Sequence, residues 1–310
     1  MSKLIKRQHY VWRQYLRAWG DNKDLIWTYF KDLHKIEKPN MMGIAQQNFF
    51  YELPYITDEE EFELRKFIKS IGDPSINPLN MDFIDAFTLP SKIKRINPRK
   101  PLDAETSAKA EGIFREMQVN TMEKAHGLFE NAGSNLLKCK SAADLHFLEN
   151  EDFFFETMVF LCVQYFRTNK MKNNISRAVN AKDFPLVKFW NIIAFCMAIK
   201  LSKSLSLDPR TKFLFFTSKG HEFLTCDQPV FNIKSNVLND KGTVKDFELF
   251  YPMSPTTALS VCFDENSNNR ILDIEAGNEV VSYFNSKIME NSEKWIFAGT
   301  YEQLAKDAIA

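Results

Sequence analysis

Two apolar runs, FFFETMVFLCVQYF at residues 153–166 and FWNIIAFCMAIKL at 189–201, constrain this chain more than any other feature. Each falls short of the roughly 18 uninterrupted apolar residues that a bilayer-spanning helix needs. Glu156 and Gln164 interrupt the first run, and Lys188 and Lys200 bound the second. Both therefore read as helices buried in a protein core, and no membrane partner is expected. A chain of 310 residues can bury them, because single cores stop growing only at roughly 250–300 residues. Its 28 phenylalanines supply much of the apolar material.

Around these helices the pattern changes along the chain. Residues 1–56 combine a short helix from about Tyr10 to Trp19 with strand-like LIWTYF at 25–30 and an aromatic run, NFFY, at 48–51. Thr57 followed by Glu60 makes a capping box, so the acidic run at 58–61 reads as a helix start and not as a metal site. Five prolines between residues 71 and 104 predict an irregular connector. Residues 105–207 read as a helical block, with a helix start at Asp183–Pro185. Beyond Asp208 and Pro209 the period becomes that of strands: KFLFF at 212–216 and EFLTC at 222–226 as a hairpin, then FELFY at 247–251 and ALSVCF at 258–263. A helix at about 276–291 and a last strand, WIFAG, at 295–299 end the strand-rich part, 208–310. The expected fold is α+β, with a mostly antiparallel sheet formed by C-terminal strands with N-terminal strand(s), packed beside a central helical layer. The whole of 1–310 reads as one unit.

Forty basic residues balance forty acidic ones, so no global field draws the chain to nucleic acid or anionic lipid. A local cluster, Lys92, Lys94, Arg95, Arg99 and Lys100, reads as a solvated loop, because no aromatic residue is interleaved for base stacking. The five cysteines form no C-x-x-C pair and the amino terminus has no apolar signal region, which predicts reduced thiols and a cytoplasmic setting.

Several short motifs, in order, resemble the domain of unknown function (DUF) family 4238. RQHYVWRQYLRAW resembles its Q-H-Y-V-P-x-x-Y-L-x-x-F opening through Gln8, His9, Tyr10, Val11, Tyr15 and Leu16. QQNFFY at 46–51 resembles its polar stretch ending in an aromatic and a tyrosine. FLCVQYFRT at 160–168 resembles its Q-x-x-R-T helix through Gln164, Arg167 and Thr168. FLTCDQPV at 223–230 resembles its F-x-T-S-D-N-P-V turn, followed by YPMSP at 251–255 and Asn285 in a late helix. Trp12 stands where the family pattern has proline, Cys226 where it has serine and Gln228 where it has asparagine. Trp12 is expected to free the opening for a continuous helix. The resemblance implies no activity.

Read without the resemblance, the polar residues in apolar settings mark a candidate site. Gln164 and Arg167 are three apart on an apolar helix, and a guanidinium buried there needs an anion. Asp227, at a strand end before Pro229, is the expected partner. Either the same residues form a structural ion-pair network linking helices and sheet, in a non-enzymatic binding or regulatory protein, or the pair joins His9 in a catalytic set. In that set His9 is general acid or base, Asp227 orients it, Arg167 holds an anionic oxygen and Gln164 positions water or substrate. That set would suit hydrolysis at a phosphate, nuclease-like, with nucleic acid or a nucleotide as partner. A Cys226 nucleophile paired with His9 is the lesser alternative. No histidine spacing marks a metal site and no nucleotide-loop motif is present. No cofactor is named by motif, and a divalent metal stays open.

Overall fold

The computed structural model describes residues 4–96, 102–178, 184–235 and 246–308. The elements run in the order β1 Arg7–His9, α1 Arg13–Leu16, β2 Trp27–Phe30, β3 Lys35–Glu37, β4 Gln46–Asn48, α2 Asp58–Ser70 and α3 Asn77–Arg95. The helical block follows with α4 Ala104–Leu136, α5 Glu151–Phe166, α6 Asn169–Ala178 and α7 Trp190–Leu207. Then come β5 Thr211–Ser218, β6 Thr225–Cys226, β7 Phe231–Asn232, β8 Glu248–Ser254, β9 Thr257–Phe263 and β10 Ile271–Ala276. The described chain ends with α8 Asn278–Asn291, β11 Trp295–Ala298 and α9 Tyr301–Ala308.

The two apolar runs are helices α5 and α7, buried on nearly every side. No helix among the described residues is long and apolar enough to cross a membrane. Against them lies a five-stranded sheet in the order β10-β5-β9-β8-β7, antiparallel except for the β10–β5 pair. Strand alternation gives this sheet two buried faces. Phe213, Phe215, Leu249, Tyr251 and Met253 join the core of the helical layer. Phe216 and Phe250 face the other way, onto Val281, Phe284 and Ile288 of α8. A four-stranded sheet, β3-β2-β11-β6, joins N-terminal to C-terminal strands, as the sequence predicts.

Several local expectations are corrected. The opening helix shrinks to α1: Trp12 sits outside it at φ −60 and ψ 122, a geometry proline also adopts, so the tryptophan does not make the helix continuous. Residues 71–104 are not irregular, because most of them form α3, with Pro78 in the first turn and Pro90 inside the helix. Burial of Ile84, Phe87, Pro90 and Ser91 outweighs the hydrogen bond that Pro90 removes. Pro98, Arg99, Lys100 and Pro101 lie outside the described residues, as does Asp183. Downstream of Asp183, α7 begins only at Trp190. The predicted hairpin is absent: β5 pairs with β9 and β10, whereas β6 crosses into the other sheet beside β11. The Thr57 and Glu60 capping box is formed as read.

The opening aromatic cluster docks α1 onto β6. Trp19 donates its indole N–H to the Phe223 carbonyl at 2.7 Å, and Tyr15 shares a hydrogen bond with Thr225. Lys92, Lys94 and Arg95 lie in the last turn of α3 and pair with Glu61, Asp85, Glu111 and Asp58. These three cations are thus on a helix rather than a loop, each beside an acidic side chain.

Candidate functional site

Helix α5 ends at Phe166, and Arg167 takes its C-cap, donating its backbone N–H to Val163 at 3.0 Å. A cation suits that end of a helix, yet this one is only 3% exposed. Its Nη1 donates to Glu130 Oε1 at 2.8 Å. Its Nε and Nη2 are buried and have no partner among the described residues. These two nitrogens form the side-on edge of the guanidinium, the fork that matches two oxygens of a carboxylate or phosphate.

Glu130 reaches Arg167 because α4 and α5 approach closely at Gly133. A Cβ there would lie 2.4 Å from the Phe160 ring. The same face of α4 carries Glu123 and His126, seven and four residues before Glu130. Oε2 of Glu123 and Nδ1 of His126 are also buried without partners. Burial pushes the Glu123 carboxyl up to about 7, against the opposing pull of the Arg167 cation. Burial, and then Arg167, hold the His126 imidazole well below its ordinary range, so it is neutral.

The amino-terminal segment closes the other side. Gln8, fully buried in β1, donates to the Val119 carbonyl of α4 at 2.9 Å and accepts the Tyr51 N–H at 2.7 Å. This clamp sets the Tyr51 ring 4.3 Å from the His126 ring. Between Tyr51, His126, Val163, Arg167, Asn191, Ala194 and Phe195 lies a cavity of about 10 Å³, the space of one water molecule. His9 follows Gln8 in β1. Its Nδ1 is buried and unpartnered. Burial lowers it to about 4, helped by the nearby cations Arg13 and Arg167, so His9 is neutral near pH 7.

Of the four residues read from the sequence, the structure brings His9 and Arg167 into electrostatic reach of one another. Gln164 is buried one turn before Arg167, but the cavity takes Val163 and Arg167 from this stretch and not Gln164. Asp227 is not the partner of Arg167. Its two carboxylate oxygens accept the backbone N–H groups of Glu293 and Lys294, each at 2.8 Å. Burial raises Asp227 to about 6 in spite of those two bonds.

The two motifs nevertheless meet, one residue further along each. Thr168 donates to the Gln228 side-chain carbonyl, and the Gln228 amide donates to Tyr165 O at 3.0 Å and Val230 O at 2.6 Å. Lys31 and Lys170 donate to carbonyls at the end of α8, beside the turn that Asp227 holds. Asn285 accepts from Leu224 N and donates to Glu222 O, both at 2.9 Å, fixing the approach to β6. Cys226 is fully buried, which drives its thiol far above its ordinary range and keeps it protonated. It is no nucleophile for His9.

The sequence reading missed Glu123, Glu130, His126 and Tyr51. The available signal was the spacing of three ionisable side chains along one face of a helix whose other residues are unremarkable. Among the described residues, no group of three or more His, Cys, Asp or Glu side chains is arranged to hold a metal ion.

No curated protein and no solved structure matches this chain. One family model does match: residues 198–302, a span that holds Asp227, Gln228 and Asn285 but not His9, Gln164 or Arg167, match the family described as a protein of unknown function, DUF4238.

Proposed function

We propose that this protein binds an oxyanion, a phosphoryl or carboxylate group, on the side-on edge of Arg167. The observation that carries the reading is the unpartnered Nε and Nη2 of a guanidinium that is otherwise sealed from water. Leaving such donors buried and unused is costly, and a bidentate anion satisfies both at once. Glu130 holds the guanidinium plane in place through Nη1. The cavity as it stands has the space of one water, so an entering oxyanion must displace side chains of its wall, which favours the head group of a small ligand, such as a nucleotide phosphate, over the backbone of a polynucleotide. In the hydrolytic form of this reading, neutral His9 takes a proton from the water that attacks phosphorus while the P–O bond to the leaving oxygen breaks and that oxygen is protonated from solvent; Gln164 and Asp227 support the surrounding chain rather than the chemistry.

A second reading rests on the cavity volume. About 10 Å³ admits one water, which would bridge the Arg167 donors and His126 Nδ1 in a purely structural network. Thermal shift with inorganic phosphate, formate and nucleoside monophosphates, on wild type and Arg167→Met, separates the two. Stabilisation of wild type that vanishes in a folded Arg167→Met supports the oxyanion site. No stabilisation by any of these anions supports the water-bridged network.

A further inference from the structure

An oxyanion on the Arg167 edge would find, among the unpartnered groups around it, a second acidic side chain. Glu123 Oε2 is buried, makes no hydrogen bond, and lies on the α4 face that carries Glu130. Glu123 lies outside the cavity lining but feels the Arg167 charge; an ionised carboxylate only accepts, and so does an oxyanion, so the two cannot meet in a dry interior unless a proton sits between them. Resting on the oxyanion reading, we propose that Glu123 is the second contact of the site and couples anion binding to proton uptake. As a carboxylic acid it donates a hydrogen bond to the anion that Arg167 holds, so that each anion bound brings in one proton from solvent.

The surrounding charges agree. Glu123 feels the Arg167 cation from the end of α5 and the Glu130 anion from its own helix. Tyr51 faces it from the loop after β4, and burial keeps that phenol neutral. His126 on α4 is neutral, as is Tyr251 on β8, which faces Arg167 and Glu130. His9 in β1 is neutral as well and carries no compensating charge. With Arg167 balanced by Glu130, an added anion leaves Glu123 as the group to take up a proton. Its position near 7 makes that uptake inexpensive.

Calorimetric titration of formate and of inorganic phosphate at about pH 8, in two buffers of different ionisation enthalpy, measures the proton count. Formate carries no proton of its own near neutrality, so its count belongs to the protein. Nearly one proton taken up per formate is expected, with affinity falling about tenfold per pH unit above about 7. In Glu123→Gln, whose amide donates without titrating, binding should persist with little uptake and a flat pH dependence. Formate binding without uptake in wild type, or uptake unchanged in Glu123→Gln, overturns the proposal while leaving the oxyanion site standing. If neither anion binds wild type, both fall. Phosphate binding with formate failing would assign the site to phosphoryl ligands, and the reverse to carboxylates; in either case the pH slope of the anion that binds, present in wild type and lost in Glu123→Gln, upholds the proposal, and its absence from wild type overturns it.

Discussion

Two buried polar regions of this molecule look alike in composition and differ in how completely they are bonded. Around Asp227, both carboxylate oxygens hold backbone N–H groups, Gln228 ties α5 to the β6–β7 turn, and Lys31 and Lys170 dock on the end of α8. Around Arg167, one nitrogen is paired, while two others and atoms of Glu123, His126 and His9 have no partner among the described residues. Folding normally satisfies its buried polar groups. The bonding of the saturated region is accounted for by the fold, and the unsaturated one lacks partners that the described residues do not supply.

If that contrast is sound, Asp227→Ala should be the most damaging substitution of those considered. It leaves two part-buried backbone donors without their acceptor, at up to about 1–3 kcal/mol each. A loss of about 3 kcal/mol, or roughly 6 °C in Tm, is expected for a chain of this size. A variant that melts with wild type would break the comparison at once. Gln228→Ala should follow at about 2 kcal/mol, because it strands the buried Thr168 hydroxyl and the Tyr165 and Val230 carbonyls. Denaturant unfolding measures both.

Arg167→Met tests the other side of the contrast. Two of the donors it removes are unsatisfied, and Glu130, its side chain 21% exposed, can turn to water once released. A change within about 1 kcal/mol is expected, despite a burial as deep as that of Asp227. A loss of about 3–5 kcal/mol, the cost of breaking a structural buried pair, would place Arg167 in the saturated class and favour the water-bridged network.

The sequence shows why these regions were hard to separate. The apolar length of α5 and α7 dictates buried helices, and the burial of Arg167 and Asp227 follows from their neighbours. Pairing does not follow, because a sequence places charges on elements but does not set the register between elements. Arg167 and Asp227 looked complementary, yet the contact is made by Thr168 and Gln228, one residue on. The β5–β6 hairpin failed for a related reason: a Gly-containing loop permits a hairpin, but β6 gains its partner from β11, seventy residues away in sequence. Pro90 sits inside α3 because packing overrode the local penalty, which no local pattern reveals. Parallel β10, which follows the polar run 264–270, was legible neither by period nor by turn.

The smallest expected effect isolates Glu123 by difference, because its loss of stability with rising pH runs against the gain from the buried histidines. His9 is lowered from 6.5 to about 4, so its contribution to stability is present above 6.5 and is lost as pH falls through about 4. Asp227 is raised from 3.8 to about 6, so its contribution is present below 3.8 and is lost as pH rises through about 6. Glu123 is raised from 4.5 to about 7, so it too loses stability with rising pH, and its loss runs through the window just above 6.5. His9 and His126, both held below 6.5, still gain stability there as pH rises and offset part of that loss. Between about pH 6.5 and 7.5, Glu123→Gln should therefore gain on wild type as pH rises, by about a degree in Tm, and His9→Gln should fall more steeply than wild type. If His9→Gln flattened the window instead, the proton-carrying group of the unsaturated region would be the histidine and not the carboxyl.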